Sequence, residues 1–381
     1  MSRPIAPPMR GARSQCTAWR RVVIQLKRAR WIRATEAGDE VGMFWLRPDL
    51  DRAALGSAEW LDTALFDIDG VLIDTSGSYR QSVIEATDYL VRVHAGLTGG
   101  PTPLVTPEDV TAFKLAGGFN SDWDLTPALA GLWTAKLREW QGDPRSARPL
   151  TAWAADALAA SEAGRGGLTW LYATVPASAL PDPEVARWVH DEFYWGAEAM
   201  RAMYQREPQY ALDAPGLNSA EISMLKSETL PALAELGLTR YGVITGRISP
   251  EVEQALRLIA PDGEALASGG AHGVAIHPPF AVIVPASLHT KPDPQALLYA
   301  LEKLGSRAAV YLGDTSDDLN LTLRYRAEIL SHQPNLPAVL AVAVGDHIAA
   351  EFFQARGADM TLSDVSELPA ALMALNAHLA R

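Results

Sequence analysis

An apolar strand followed by two acids opens the most informative part of this chain: Thr63-Ala64-Leu65-Phe66-Asp67-Ile68-Asp69-Gly70-Val71. The apolar run predicts a buried strand over residues 63–67. Side chains at i and i+2 of a strand point to one face, so Asp67 and Asp69 should start on the same side. Two acids this close repel each other. The pattern therefore favours a bound divalent cation or a proton shared with a ligand.

Strand and helix patterns alternate along the rest of the chain. We predict strands over residues 63–67, 240–245, 308–312 and 339–344, and helices over residues 79–94, 221–236, 294–304 and 317–325, with a further helix starting at residue 249. This alternation indicates an α/β fold with a Rossmann-like parallel sheet as its core. Ligands of such sheets bind at the carboxyl ends of the strands, where Asp67, Thr245 and Asp314 all fall.

A long insertion separates the first predicted strand from the second. It is far longer than one crossover connection needs, and it holds seven of the eleven tryptophans. Aromatic side chains in this number favour a second packed core over a ligand site. We expect an N-terminal extension, partly disordered, over residues 1–60, a Rossmann-like core over residues 61–78 and 221–381, and an inserted, mostly helical domain over residues 79–220.

Composition excludes several classes of protein. Hydrophobic residues make up 48% of the chain and the formal net charge is -12, which argues against nucleic acid or an anionic membrane surface as a partner. No apolar run is long enough to span a bilayer. The single cysteine, Cys16, cannot form an intrachain disulfide. This fits a reducing compartment, and we expect a cytoplasmic protein.

The N-terminal arm has a charge pattern of its own. Residues 1–35 contain nine basic residues and no acid. Such an arm has two interpretations, an organelle-targeting peptide or a disordered extension. No short apolar core with a cleavage site follows, which favours the extension.

Four separated motifs now stand in order: Asp67-Ile68-Asp69, Thr245-Gly246-Arg247, Lys291-Pro292-Asp293-Pro294 and Gly313-Asp314-Thr315-Ser316-Asp317-Asp318. Taken alone, each motif has an ordinary structural interpretation, such as a turn, a surface lysine or a helix cap. Together, in this order, they resemble the haloacid dehalogenase superfamily. The resemblance covers residues 61–74 and 221–349. Residues 62–80 look like the phosphatase branch of subfamily I, with a helical cap of type one. The resemblance implies that residues 79–220 form this cap, which is longer here than is usual in the family.

The resemblance implies a role for each motif. Asp67 would be the nucleophile and Asp69 the general acid and base, while Thr245 and Lys291 would bind the phosphoryl group. A Mg²⁺ ion would be held by Asp67, Asp69 through its backbone carbonyl, Asp314 and Asp318. Gly246 is expected in the substrate site. We assign Arg247, at a helix start, and Asp293, in a turn, to structural roles.

A glycine-containing segment of the insertion is the candidate for substrate selection. In relatives with this type of cap, a loop at about this place reaches over the active site. The substrate-reading candidates are Lys114, Gly118, Asn120, Asp122 and Trp123. The alternative is an ordinary helix–loop–helix turn, with Asp124 capping the second helix.

The function expected from these motifs is Mg²⁺-dependent hydrolysis of a small-metabolite phosphomonoester through an aspartyl-phosphate. The alternative is a sugar phosphomutase of the β-phosphoglucomutase type, which keeps the same residues and returns the phosphoryl group to its substrate. An enzyme that removes halide from haloacids needs no acid two residues after its nucleophile, so the presence of Asp69 argues against dehalogenase activity. The expected partner is a small phosphorylated metabolite, and the oligomeric state stays open.

Overall fold

The computed structural model describes residues 32–33, 44–47, 49–50, 52–56, 60–212, 215–259 and 279–380. Ten strands lie within them: β1 Ile32–Arg33, β2 Phe44–Leu46, β3 Thr63–Phe66, β4 Ile73–Asp74, β5 Ile222–Ser223, β6 Arg240–Ile244, β7 Val282–Val284, β8 Ala308–Gly313, β9 Ala338–Val344 and β10 Met360–Leu362. Eight of these form one sheet in the order β1-β2-β10-β9-β8-β3-β6-β7. β10, β9, β8, β3, β6 and β7 run parallel, and β2 joins β10 antiparallel.

Twelve α-helices accompany the strands: α1 Tyr79–Asp88, α2 Pro107–Ala116, α3 Asp122–Thr134, α4 Leu150–Glu162, α5 Gly167–Thr174, α6 Pro183–Tyr204, α7 Thr229–Glu235, α8 Ser249–Ile259, α9 Gln295–Leu304, α10 Ser316–Arg324, α11 His347–Ala355 and α12 Leu368–Leu379. Three of them continue as π-helical turns, α1 over Tyr89–His94, α3 over Ala135–Glu139 and α10 over Tyr325–Leu330. Among the described residues, no helix combines the length and the apolar character needed to cross a bilayer.

The central strands are buried on both faces. All residues of β3, β8 and β9 are buried, which fits their continuous apolar sequences and the helices that cover a parallel sheet. In the register of the sheet, Phe66 lies opposite Val243 on one side and opposite Leu312 on the other. The residues that follow these three strands therefore reach one edge together. The predicted α/β fold with a parallel sheet is confirmed.

The insertion is helical and has a hydrophobic core of its own. Helices α1 to α6 all belong to it. The apolar residues that they enclose run from Val83 to Val189 and include Trp140, Trp153 and Trp170. The tryptophans of this core are packing residues, as their number in the sequence indicates. The core of the sheet is a separate cluster, built from residues of β2, β3, β6, β8, β9 and β10 and of α7, α8 and α12.

The two segments that connect the sheet to the insertion form a strand pair with each other. β4 and β5 form a small antiparallel sheet, with Ile73 opposite Ser223 and Asp74 opposite Ile222. This pairing corrects one prediction, because the helix expected over residues 221–236 exists only over α7, Thr229–Glu235. The local pattern of residues 221–228 allows a helix, but a strand partner from the other connecting segment and a buried ion pair of Glu221 hold this segment extended.

Part of the expected N-terminal extension belongs to the core. Met360, Thr361 and Leu362 of β10 pair with β2, whose Phe44 and Leu46 are buried in the main hydrophobic cluster. The sheet therefore begins before residue 61, where the sequence analysis started it. Apart from β1, the basic arm of residues 1–35 lies outside the described residues, so the structure does not test the interpretation of its charge.

Candidate active site

A tight turn places the two acids of the first motif at the end of β3. Leu72 and Ile73 both donate backbone hydrogen bonds to the carbonyl of Ile68, at 2.8 and 2.9 Å. Gly70 adopts a φ of +68°, in the left-handed region that favours glycine. The turn folds back over the strand end, with Asp67 buried and Asp69 partly exposed.

Lys291 lies between the first and the fourth motif. Its Nζ is 2.7 Å from Asp67 Oδ2 and 2.8 Å from Asp318 Oδ1, and its side chain is buried. Burial alone would lower the pKa of Lys291, but the Asp318 and Asp67 carboxylates outweigh burial and raise it. The lysine therefore stays an ammonium. Burial raises the pKa of Asp67, and the Lys291 ammonium opposes that rise.

The fourth motif brings two more carboxylates beside Asp67. Thr315 caps α10, and Asp318 accepts hydrogen bonds from its backbone N–H and hydroxyl, at 3.1 and 2.5 Å. Tyr311 Oη also donates to Asp318, at 2.5 Å. Burial raises the pKa of Asp314 to about 6, and the Asp318 carboxylate adds to the rise.

One oxygen each of Asp67, Asp314 and Asp318 lies within 4.8 Å of the others. Asp314 Oδ1 is buried and has no hydrogen-bond partner among the described residues. An all-oxygen cluster with an unsatisfied buried carboxylate oxygen suits a hard divalent cation. The site therefore fits a divalent metal. The Asp69 carboxylate is not part of this cluster, because it accepts hydrogen bonds from Arg247.

The glycines of these motifs make the close approach of the carboxylates possible. A Cβ on Gly70 would come within 2.1 Å of Asp314 Oδ2. A Cβ on Gly313 would lie 2.1 Å from the Cβ of Asp318. Real contacts of this kind stay above 3.0 Å. Both positions thus need a residue without a side chain so that Asp314 and Asp318 can take their places.

The second motif lies at the end of β6, opposite the turn. Thr245 is fully buried, and its hydroxyl accepts a hydrogen bond from the backbone N–H of Arg247, at 3.1 Å. Gly246 lines the cavity, and Asn120 Nδ2 lies 3.9 Å from the position of a Cβ there. Asp293 accepts a hydrogen bond from the Gln295 N–H at the start of α9, the structural role expected of it.

Arg247 is the residue that the sequence analysis missed. Its guanidinium donates two hydrogen bonds to Asp69 Oδ1, at 3.0 and 2.7 Å, and one to Glu221 Oε1, at 2.9 Å. Its side chain is only 1% exposed, and the Tyr194 hydroxyl of α6 lies 3.4 Å away. The arginine thus connects Asp69 with the second connecting segment and with the cap. The sequence held only a weak signal: a long side chain directly after a strand-end Thr-Gly can reach an acid of the neighbouring strand, but the sequence does not show which acid it meets.

The cap closes over these residues and leaves a cavity of about 420 Å³. Lys114, Gly118, Asn120, Asp122 and Trp123 all line it, together with Asp67, Asp69, Lys291 and Asp314. The structure thus brings the cap candidates and the motif residues to one space. Asp124 also lines the cavity and does not cap α3, whose N-cap is Ser121.

Two cap residues form an ion pair at the wall of this cavity. Lys114 Nζ lies 3.2 Å from Asp122 Oδ1. The backbone of Gly118, with a φ of +77°, packs so closely against Gly167 that a Cβ would lie 2.8 Å from its N and Cα. The glycine turn is therefore both a helix–loop–helix connection and a wall of the cavity.

Searches against solved structures return neighbours of low similarity. A phosphatase from Thermococcus thioreducens, Tt82, is 25% identical, with a TM-score of 0.45 over 70% of this chain and 88% of that one. CbbY from Rhodobacter sphaeroides, solved with phosphate, is 18% identical, with a TM-score of 0.38 over 81% and 96%. A putative β-phosphoglucomutase from Bacteroides vulgatus is 14% identical, with a TM-score of 0.39 over 85% and 93%. Likenesses this distant say nothing further about activity.

Among curated proteins, an imidazoleglycerol-phosphate dehydratase from Phytophthora nicotianae is 42% identical over 65 residues. This match spans 17% of the chain and only 12% of that relative. A family model described as haloacid dehalogenase-like hydrolase matches residues 61–320, which include all four motifs and the whole insertion. The chain therefore belongs to the haloacid dehalogenase-like hydrolases.

Proposed function

We propose that this protein is a Mg²⁺-dependent phosphatase that hydrolyses a small-metabolite phosphomonoester through an aspartyl-phosphate on Asp67. The observation that supports this most is the bridge of Lys291 between Asp67 and Asp318, at 2.7 and 2.8 Å, beside a cavity that Asp69 also lines. A buried carboxylate held by an ammonium beside further acids suits a nucleophile that works next to a metal.

The chain's own residues account for the two steps. A carboxylate oxygen of Asp67 bonds to phosphorus while the bond from phosphorus to the ester oxygen breaks, and Asp69 gives its proton to the departing alkoxide. Asp69, now ionised, then takes a proton from a water whose oxygen attacks phosphorus, and the bond to Asp67 breaks. Thr245 and Lys291 donate hydrogen bonds to the phosphoryl oxygens.

Arg247 positions Asp69 for both proton transfers. Two hydrogen bonds to one oxygen, Oδ1, fix the orientation of the carboxyl group and leave the other oxygen, Oδ2, for the proton. The arginine itself is held by Glu221. A general acid held in place by a buried partner loses little freedom when the substrate binds.

The metal would be held by Asp67, Asp314 and Asp318, with Asp69 contributing its backbone carbonyl. When bound, such an ion neutralises charge on the transferring phosphoryl group. The unsatisfied Oδ1 of Asp314 supports this assignment. Oxygen ligands and a phosphate substrate favour Mg²⁺ among the common divalent ions.

The size of the cavity supports a small-molecule substrate, since 420 Å³ is within the usual range of roughly 300–1,000 Å³ for such sites. Lys114, Asn120 and Asp122 are the proposed contacts to the part of the substrate that is not phosphate. They belong to the cap, so substrate choice and cap closure act together.

The test is phosphate release by the purified protein from p-nitrophenyl phosphate and from a panel of metabolite phosphomonoesters, with Mg²⁺ and after its removal by a chelator. We expect turnover that requires Mg²⁺, and a loss on the order of 10³-fold or more in Asp67→Asn, the scale seen when a nucleophile is removed. Full activity in excess chelator would contradict the metal role. Isomerisation of a sugar phosphate without net phosphate release would show the mutase alternative instead.

A further inference from the structure

The charges on the wall of the cavity are not balanced. Four cationic side chains line it among the described residues, and each already has a carboxylate partner. Lys291 binds Asp67 and Asp318, and Arg247 binds Asp69 and Glu221; Lys114 pairs with Asp122 at 3.2 Å and Arg80 with Asp314 at 3.7 Å. A second anionic group on the substrate would therefore find no uncommitted cation on the described part of the wall.

Three carboxylates of the same wall have no ion-pair partner among the described residues: Glu251, Asp124 and Asp317. Asp317 directly precedes Asp318 of the metal cluster, whereas Glu251 and Asp124 lie on other helices, α8 and α3. Glu251 of α8 is 7% exposed; its Oε2 accepts a hydrogen bond from the Ile248 N–H at 3.1 Å, and its Oε1 has no partner there. Asp124 of α3 lines the cavity without any side-chain hydrogen bond in the described residues. Burial raises the pKa of Asp124, with nothing to offset it. Glu251 is buried and Asp124 is partly buried. Because buried carboxylates are normally paired, a ligand can supply the partner that they lack.

Glu251 also lies close to the reacting end of the cavity. The guanidinium that holds Asp69 donates, through Nη1, to the backbone carbonyl of Glu251 at 3.4 Å. One arginine side chain thus separates the general acid from Glu251. In the proposed mechanism the ester oxygen of the substrate would lie at Asp69, so its alcohol part would extend into the cavity that Glu251 also lines.

We infer, on the basis of the proposed phosphatase function, that the alcohol part of the substrate carries an ammonium group, which Glu251 and Asp124 bind. The cavity then discriminates against esters whose alcohol part carries a carboxylate or a second phosphate. This property also disfavours a bisphosphate-primed mutase, because a bisphosphate needs a second cationic site.

Three esters of nearly equal size test this inference at pH 8 with Mg²⁺: O-phosphoethanolamine, 2-hydroxyethyl phosphate and phosphoglycolate, which differ in carrying an ammonium, a hydroxyl or a carboxylate. We expect kcat/KM to fall about tenfold at each step in that order, the scale of one charged hydrogen bond. Glucosamine 6-phosphate and glucose 6-phosphate repeat the first comparison on a larger alcohol. Equal kcat/KM values, or a preference for phosphoglycolate, would overturn the inference.

Hydrolysis of p-nitrophenyl phosphate separates this inference from the proposed function. If that ester is cleaved with Mg²⁺ and the ammonium preference is missing, only the inference fails. If neither it nor any ester of the series is cleaved, the phosphatase function fails, and the inference fails with it.

Single substitutions test which residues cause the preference for the ammonium ester. Glu251→Gln keeps an oxygen for the Ile248 N–H, and Asp124→Asn is similarly conservative. Each should reduce the ratio of kcat/KM between the ammonium and hydroxyl esters about threefold, half of the tenfold preference on a free-energy scale, and mainly through KM. Glu253→Gln, on the same helix with a 58% exposed side chain, is the matched control and should keep the wild-type ratio. Unchanged ratios in both cavity variants, with thermal unfolding midpoints near that of the wild type, would overturn the assignment to these carboxylates.

Discussion

Replacing Gly70 with alanine should disable the site by displacing Asp314. The new Cβ would lie 2.1 Å from Asp314 Oδ2, 2.5 Å from its Cγ and 3.0 Å from its Cβ. Rotation of the aspartate alone cannot relieve these contacts, because its Cβ is already at the limit. The φ of +68° adds a conformational cost of about 1–2 kcal/mol for a residue with a side chain.

Gly305 provides the matched control. It also has a positive φ, +59°, but a Cβ there would meet nothing within 4 Å. Gly305→Ala should therefore lose about 1–2 kcal/mol of stability and keep its activity and its Mg²⁺ requirement. Gly70→Ala should lose a further 1–3 kcal/mol, roughly, from overpacking. Because Asp314 moves, activity or Mg²⁺ affinity should also fall about 10–100-fold.

Urea unfolding without metal gives the two stabilities, and a Mg²⁺ titration of phosphate release gives the metal requirement. The comparison isolates the clash with Asp314, because both alanine variants carry the conformational cost. A Gly70→Ala protein with the stability, activity and Mg²⁺ requirement of Gly305→Ala would refute the role of this contact in placing Asp314.

Three further predictions concern other parts of the site. Arg247→Met should cost about 3–5 kcal/mol of unfolding free energy, because it leaves buried Glu221 without its cation. Adding Glu221→Gln to this variant should recover part of the loss. If urea unfolding shows that the losses of the two substitutions simply add, this coupling is contradicted. Burial raises the pKa of Glu251 to about 7 from an ordinary 4.5, so the wild type loses stability as the pH rises between these values. Glu251→Gln cannot ionise and should gain up to about 3 kcal/mol relative to the wild type between pH 4.5 and 8; a constant difference in urea unfolding would contradict the shift. Lys114→Ala or Asn120→Ala should raise KM or change the preference for a metabolite ester more than for p-nitrophenyl phosphate, and an identical substrate profile would exclude both residues from substrate recognition.

The sheet could be predicted because its signals are local. The strands before Asp67 and Asp314 are continuous apolar runs, and parallel strands end at one edge whatever the helices between them do. Helices α9 and α10 begin within one residue of their predicted starts, but α10 continues as a π-helical turn to Leu330, and the helix predicted to begin at residue 221 begins only at Thr229. Short strands were not predictable in this way. β2 has three residues and β5 has two, and each exists only because a distant strand pairs with it.

The site was predictable where motifs end strands, and unpredictable where partners are distant. Asp69 and Arg247 are 178 residues apart, and Arg247 and Glu221 belong to segments with different local patterns. Sequence spacing placed Arg247 at a helix start, which is true, but could not show that its guanidinium turns toward Asp69. The charge balance of the cavity is likewise invisible in the sequence, because it depends on which carboxylate each cation meets.

The most direct test of the account is the identity of the phosphorylated atom. The purified protein would be mixed with Mg²⁺ and a hydrolysed ester, quenched in acid during turnover, digested and analysed by mass spectrometry, with Asp69→Asn used to slow the second step. We predict that one phosphoryl group is attached to Asp67, and that the adduct disappears in Asp67→Asn. A phosphoryl group on any other side chain, or continued phosphate release by Asp67→Asn, would contradict the mechanism.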